Sequence, residues 1–228
     1  GFDGLLPGVW TFSVHDEQSG MGAEKAVTIR EGEDAAVGLD LKWSKAFKGM
    51  VRDAGGMPLP RAHVDCVYQG LAGIPTIAGG DSDYEGRFEI QVDAPAESAL
   101  CDVIGPVGGI DAFRVASGQP ADITLPAATG AVQIADWPQQ QHPEAFWLAA
   151  SDGRVISLDS VAQRVGRRGA PLSLAGLASG RWRLVRIETM PQWMALGSGM
   201  AASLPAVTDL ALDAGASQTL HLNSHSAP

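Results

Sequence analysis

The sequence predicts an all-β protein made of tandem small β-sandwiches. One observation is a repeated motif: Gly4-Leu5-Leu6-Pro7-Gly8-Val9-Trp10 returns as Gly176-Leu177-Ala178-Ser179-Gly180-Arg181-Trp182. A second is a repeated ending. Gly32 is followed by Val37 and Leu39, Gly118 by Ile123 and Leu125, and Gly215 by Leu220 and Leu222, always five and seven positions on. A period of two places each apolar pair on one strand face, with the glycine turning the chain into it. The third is punctuation: 28 glycines and 14 prolines separate short apolar runs, as many-turned sheet proteins require. Self-similarity of this kind points to copies of one supersecondary plan.

Composition bounds the class. With 228 residues, 45% hydrophobic and 18% charged, the chain has the size of about two domains and enough apolar material for packed cores. A net charge of −10 sets it against nucleic acid, whose phosphates repel such a surface. No apolar run reaches the length of about 18 residues that a membrane-spanning helix needs. The start shows no basic stretch followed by an apolar one, the pattern of a signal peptide. No lysine follows Lys48, so the positive charge of the last segment comes from arginine. Arg164, Arg167, Arg168, Arg181, Arg183 and Arg186 read as a solvated face rather than an anion site.

Residues 1–44 offer strands near Trp10–Val14, Ala26–Ile29 and Ala36–Leu41, which together cannot bury a two-sided core. Three endings but only two beginnings, at Phe47–Val51 and Gly130–Ile134, make 1–44 the back half of a truncated sandwich. The expectation is that its front half lies upstream and that these strands dock on the next module or pair with a second copy, giving a homodimer. Residues 45–126 show alternation in Ala62–Tyr68, Phe88–Val92 and Ala99–Val103. Residues 127–228 add Phe146–Ala150, Trp182–Ile187 and Thr219–Leu222. Short linkers are expected near Lys42–Ala46 and Ala127–Gly130. One helix is predicted: Leu158, Val161, Ala162 and Val165 fall at i, i+3, i+4 and i+7, with Ser157 or Asp159 to cap its start and Gly166 its end. It reads as an excursion outside the core.

The run Gly49-x-Val51-x-Asp53-x-x-Gly56-x-Pro58-Leu59-x-x-Ala62-x-Val64 resembles the carboxypeptidase regulatory-like domain, a transthyretin-like (prealbumin-like) β-sandwich related to the B-type repeats of collagen adhesins. Ser82-Asp83-Tyr84-Glu85-Gly86-Arg87-Phe88 resembles its second turn signature. The match covers residues 46–126; 1–44 and 127–224 share only the back-half motif and final strand. The resemblance implies noncatalytic spacer, folding or adhesion modules in secreted, periplasmic or cell-surface proteins, and no peptidase activity. In the family's strand order the second and fifth strands are neighbours, which puts Cys66 beside Cys101. Both point inward, as a disulfide or as two buried thiols. The related isopeptide crosslink has one ingredient pair, Lys48 and Asp122, but no inward assisting acid, because Asp102 is expected to face outward.

Asp81-x-Asp83-x-Glu85-Gly86 imitates the start of a calcium loop, but its twelfth position is Val92 and the same residues are the turn signature. His15, His63, His142, His221 and His225 show no metal-ligand spacing, and His63 and His221 read as exposed. No nucleophile elbow, phosphate loop or Cys-x-x-Cys pair occurs, and no motif calls for a cofactor. Trp182 matches Trp10 and reads as core, whereas Trp137 and Trp193, beside Pro138 and Pro191, are candidates for a sugar-stacking platform. The first functional reading is therefore a noncatalytic structural or interaction segment of a larger exported protein, its protein or glycan partner unnamed. The alternatives are a carbohydrate-binding module, or an accessory region of an enzyme whose active site lies elsewhere.

Overall fold

Four antiparallel or mixed sheets and two short helices make up the computed structural model, which describes residues 4–16, 21–40, 42–43, 46–70, 74–92, 96–106, 108–137, 146–164 and 171–222. The protein is all-β, with sandwich packing, as the sequence predicts.

The central segment supplies two facing sheets. One runs β10 (Ala121–Thr124), β4 (Ala46–Arg52), β7 (Arg87–Gln91). The other runs β9 (Ile110–Ala116), β8 (Ser98–Ile104), β5 (His63–Gln69), β6 (Pro75–Asp81). Phe47, Val51, Phe88, Ile90, Val64, Cys66, Cys101 and Val103 point between them into one core. Burying each large apolar side chain of this kind stabilises the fold by about 1.5–3 kcal/mol. The last segment repeats the scheme. β17 (Ser217–Leu220), β11 (Thr129–Ile134) and β14 (Leu172–Ala178) face β13 (Val155–Ser157), β12 (Phe146–Ala150), β15 (Gly180–Arg186) and β16 (Ala206–Leu212). In both segments the final strand pairs in parallel with the first: β10 with β4, β17 with β11.

The two pairs of sheets are continuous with one another. β14 meets β9 in parallel at Leu177 and Ile110, producing one seven-stranded sheet. The contact is close because Gly176 (φ +81) lies on Gly108 and Gly109: a Cβ at Gly176 would come within 2.3 Å of the Gly109 amide nitrogen. A further buried cluster then fills the space between the outer face of β5–β8 and the outer face of β12–β15. Val67 and Leu100 come from the first, Trp147, Ala149 and Val185 from the second, with Leu196 and Leu204 beside them. This explains why Phe146–Ala150 is an unbroken apolar run: both of its faces are covered.

Several expectations change. Helix α1 (Leu158–Arg164) forms where predicted, and the Ser157 hydroxyl accepts the Ser160 amide hydrogen bond as its N-cap (3.2 Å). It is no excursion: Leu158, Val161 and Ala162 are buried in the core of the last segment. Val165 and Gly166 lie outside the described residues. A second helix, α2 (Met190–Gly197), was not predicted, although Thr189 and Gln192 form a capping box with Pro191 in the first turn. In the first segment β1 (Gly8–Asp16) and β2 (Met21–Ile29) form a hairpin, and β3 (Lys42–Trp43) pairs with the start of β2. The strand expected at Ala36–Leu41 is absent over residues 36–40. Its counterparts β10 and β17 each rest on a parallel partner, and no such partner stands beside 36–40 among the described residues.

Candidate functional site

A group of interacting polar side chains lies where α1 and β13 cover the outer face of β5 and β8. Alternation along β5 sends Val64 and Cys66 into the central core and His63 and Asp65 to the opposite face. On β8 it likewise sends Asp102 outward, directly across from Asp65. That outward face is not solvent. The His63 side chain is only 13% exposed, so the expectation of a surface histidine fails because the last segment packs there; Asp102 faces outward as expected, yet is buried by the same packing.

Both His63 ring nitrogens are engaged. Nδ1 lies 2.7 Å from Asp81 Oδ1 and Nε2 lies 3.1 Å from Asp65 Oδ1. Arg164 of α1 touches the same ring and pairs with Asp81 Oδ1 at 2.9 Å. Asp65 also takes a hydrogen bond from the Ser160 side chain. Asp102 Oδ2 accepts the Ser157 amide (2.8 Å), and Oδ1 has no hydrogen-bond partner among the described residues. A second polar contact sits nearby: Arg154 Nη1 donates to Asp111 Oδ1 (2.6 Å), Nε to Asp152 (2.8 Å), and the guanidinium lies 5.3 Å from the Trp182 ring centre.

Serine, histidine and aspartate in one cluster invite comparison with a catalytic triad, and the order decides against it. In a triad the imidazole stands between the hydroxyl and the acid. Here the acid stands between them, since Ser160 and His63 both bond Asp65, and the other imidazole nitrogen is held by a second acid, Asp81. The arrangement fastens two segments together.

The protonation states follow from the surroundings. Burial disfavours charge on His63, but hydrogen bonding and charge from Asp65, with Asp81, outweigh it and raise its pKa above 6.5, Arg164 opposing. Burial would raise Asp65, yet His63, Ser160 and Arg164 hold it below the ordinary carboxylate value. Burial lifts Asp102 well above 3.8, and the Asp65 charge adds to that lift, despite the Ser157 amide. Asp111 is raised too, by burial first, against the Ala112 amide and Arg154. The signs set the pH dependence. His63 stabilises fully below pH 6.5 and loses its contribution as pH rises through its raised folded value. Asp102 does the same from pH 3.8 upward, while Asp65 loses its contribution only as pH falls below 3.8. Urea midpoints of the wild type should therefore fall between pH 5 and pH 8. Asp102→Asn, neutral at both, should fall less and have the higher midpoint of the two at pH 8.

The other sequence candidates are placed as follows. Cys66 and Cys101 are directly opposed on β5 and β8 and joined as a disulfide, S–S 2.07 Å. Trp137 is 5% exposed, packed in the core against Phe146, and presents no open face to a sugar. Trp193, on α2, is half-buried; its Nε1 donates to the Pro75 carbonyl (3.0 Å) and its ring meets Trp147. It serves as a wedge between α2 and β6. Asp83 Oδ1 accepts the Glu85 and Arg87 amides (2.8 Å each), a turn-forming role, and Asp81 is committed to His63 and Arg164. Lys48 pairs with Glu89 (2.9 Å) and Asp122 with Arg52 (3.0 Å), all along an open groove over β10–β4–β7. Arg164, Arg183 and Arg186 pair separately, with Asp81, Asp209 and Glu188. Arg167, Arg168, His142 and His225 lie outside the described residues. Sequence reasoning missed the His63–Asp65–Asp102–Arg164 group, whose only sequence signal is three polar residues on strands otherwise buried on both faces.

No family model and no curated protein matches the chain. Among solved structures it is similar to the Bacillus anthracis TIE protein, with 16% identity and a TM-score of 0.28, over 93% of this chain and 41% of that one. It is also similar to the Streptococcal ancillary pilin, with 11% identity and a TM-score of 0.27, over 95% of this chain and 75% of that one. The chain thus spans less than half the length of the TIE protein. No helix among the described residues is long and apolar enough to cross a membrane.

Proposed function

We propose that this chain is a noncatalytic structural segment, of spacer or adhesion type, in a larger exported protein built of transthyretin-like sandwiches. The observation that carries this reading is the use made of its polar side chains. His63, Asp65, Asp81, Asp102, Asp111, Arg154 and Arg164, the residue types from which a reactive site could be built, are spent on joining the central and last segments. A spacer needs that kind of joint, because a flexible linker between modules would transmit neither position nor load. The pairing of Cys66 with Cys101 supports export, since such crosslinks persist in oxidising compartments. The burial of Trp137 and the wedged position of Trp193 weigh against the glycan-platform alternative.

Fractionation of the native source, with each fraction denatured directly into an alkylating agent, tests the reading. The expected result is recovery in the secreted or envelope fraction with neither Cys66 nor Cys101 alkylated. Recovery from the cytosolic fraction with both thiols modified would contradict it.

A further inference from the structure

The first segment and the end of the last segment are the same half-sandwich in two conditions. Gly4 and Gly176 share φ values of +75 and +81, and Gly8 and Gly180 share +153 and +145. Trp10 Nε1 donates to the Leu6 carbonyl (2.8 Å) and Trp182 Nε1 to the Ala178 carbonyl (3.0 Å), four residues back in both. The paired strands then keep one register, Gly8 with Ile29 and Trp10 with Val27, as Gly180 with Leu212 and Trp182 with Leu210, although residues 187–205, with α2, join β15 to β16. Gly32 and Gly215 follow three residues later, at φ +72 and +76.

The surroundings differ. Trp182 is 1% exposed and Trp10 39%; Ala178 is 4% exposed and its counterpart Leu6 74%. Leu210 and Leu212 are core residues, whereas Val27 and Ile29 are only half-buried. β15 has β12 along one edge and β17 has β11; among the described residues the same edge of β1 and residues 36–40 have no strand beside them. The cover that the last segment possesses is its own front half, β11 to β14.

From this we infer that residues 4–40 are an acceptor for a front half of the same repeat type. It would supply one strand antiparallel to β1, in the place of β12, and one parallel to residues 36–40, in the place of β11. The occupant is an extended, alternating apolar segment that closes over Trp10, Val27 and Ile29. Residues 36–40 become a strand when it binds, because a parallel partner then satisfies their backbone groups. The inference stands on the internal repeat and is independent of the role proposed above.

A fusion tests it. A copy of residues 127–175 is placed ahead of the chain so that its Ala175 joins Gly4, as Ala175 joins Gly176 naturally. Amide exchange is followed over residues 36–40, with light scattering to establish size. In the 228-residue chain these amides should exchange freely. In the monomeric fusion they should slow by ~10-fold or more. A second fusion carrying Phe12→Leu, Val27→Leu and Ile29→Leu matches the inner residues Leu184, Leu210 and Leu212, so that imperfect packing does not mask acceptance. Unslowed exchange in both fusions overturns the inference. So does slow exchange in the unfused monomer, and so does slowing that appears only on self-association, which would make a second copy the occupant.

Discussion

Trp147→Ala is expected to cost about 3–5 kcal/mol and to separate the unfolding of the central segment from that of the last. Trp147 sits on the face of β12 that looks away from the core of its own segment, within the cluster that also receives Val67 and Leu100. Its ring lies 5.8 Å from Trp193, whose Nε1 holds the Pro75 carbonyl on β6. Removing it opens a cavity at the junction and loosens α2 from β6 together. Urea unfolding followed by far-ultraviolet dichroism should pass from one transition to two. Phe47→Ala provides the comparison, because Phe47 is buried in the central core alone. It should lose a similar amount of stability without dividing the transition.

The second large effect concerns the crosslink. Replacing Cys66 and Cys101 together by alanine removes a loop constraint between residues 35 apart. For a loop of that size the expected loss is about 3–4 kcal/mol, acting mainly through a less restricted unfolded chain. The denaturation midpoint of the double variant should match that of the wild type measured with reductant. A double variant as stable as the oxidised wild type would show that β5 and β8 are held by their ladder and core alone.

Much of the architecture was legible because it depends on local periodicity. The alternation in Ala62–Tyr68, Phe88–Val92 and Ala99–Val103 marks strands whatever surrounds them, and the Leu158–Ala162 spacing marks α1. What local pattern cannot tell is whether an outward face meets water or another segment. Asp102, His63 and Asp65 occupy outward positions, which in an isolated sandwich would be solvated; here they meet α1 and β13. The same blindness affected Trp193, whose proline neighbour suggested exposure while Thr189 and Gln192 were capping a helix that presses it onto Pro75. Residues 36–40 show the converse. Their spacing has every strand feature, yet a strand forms only against a partner, and spacing carries no record of whether the partner is present.

A shared sheet and a buried junction join the central and last segments within residues 46–222. Scanning calorimetry of the oxidised full chain addresses this joining directly. One cooperative transition is expected over these residues, with calorimetric and van't Hoff enthalpies in agreement. Two resolved transitions, one assignable by amide exchange to residues 46–126 and the other to residues 127–222, would contradict it.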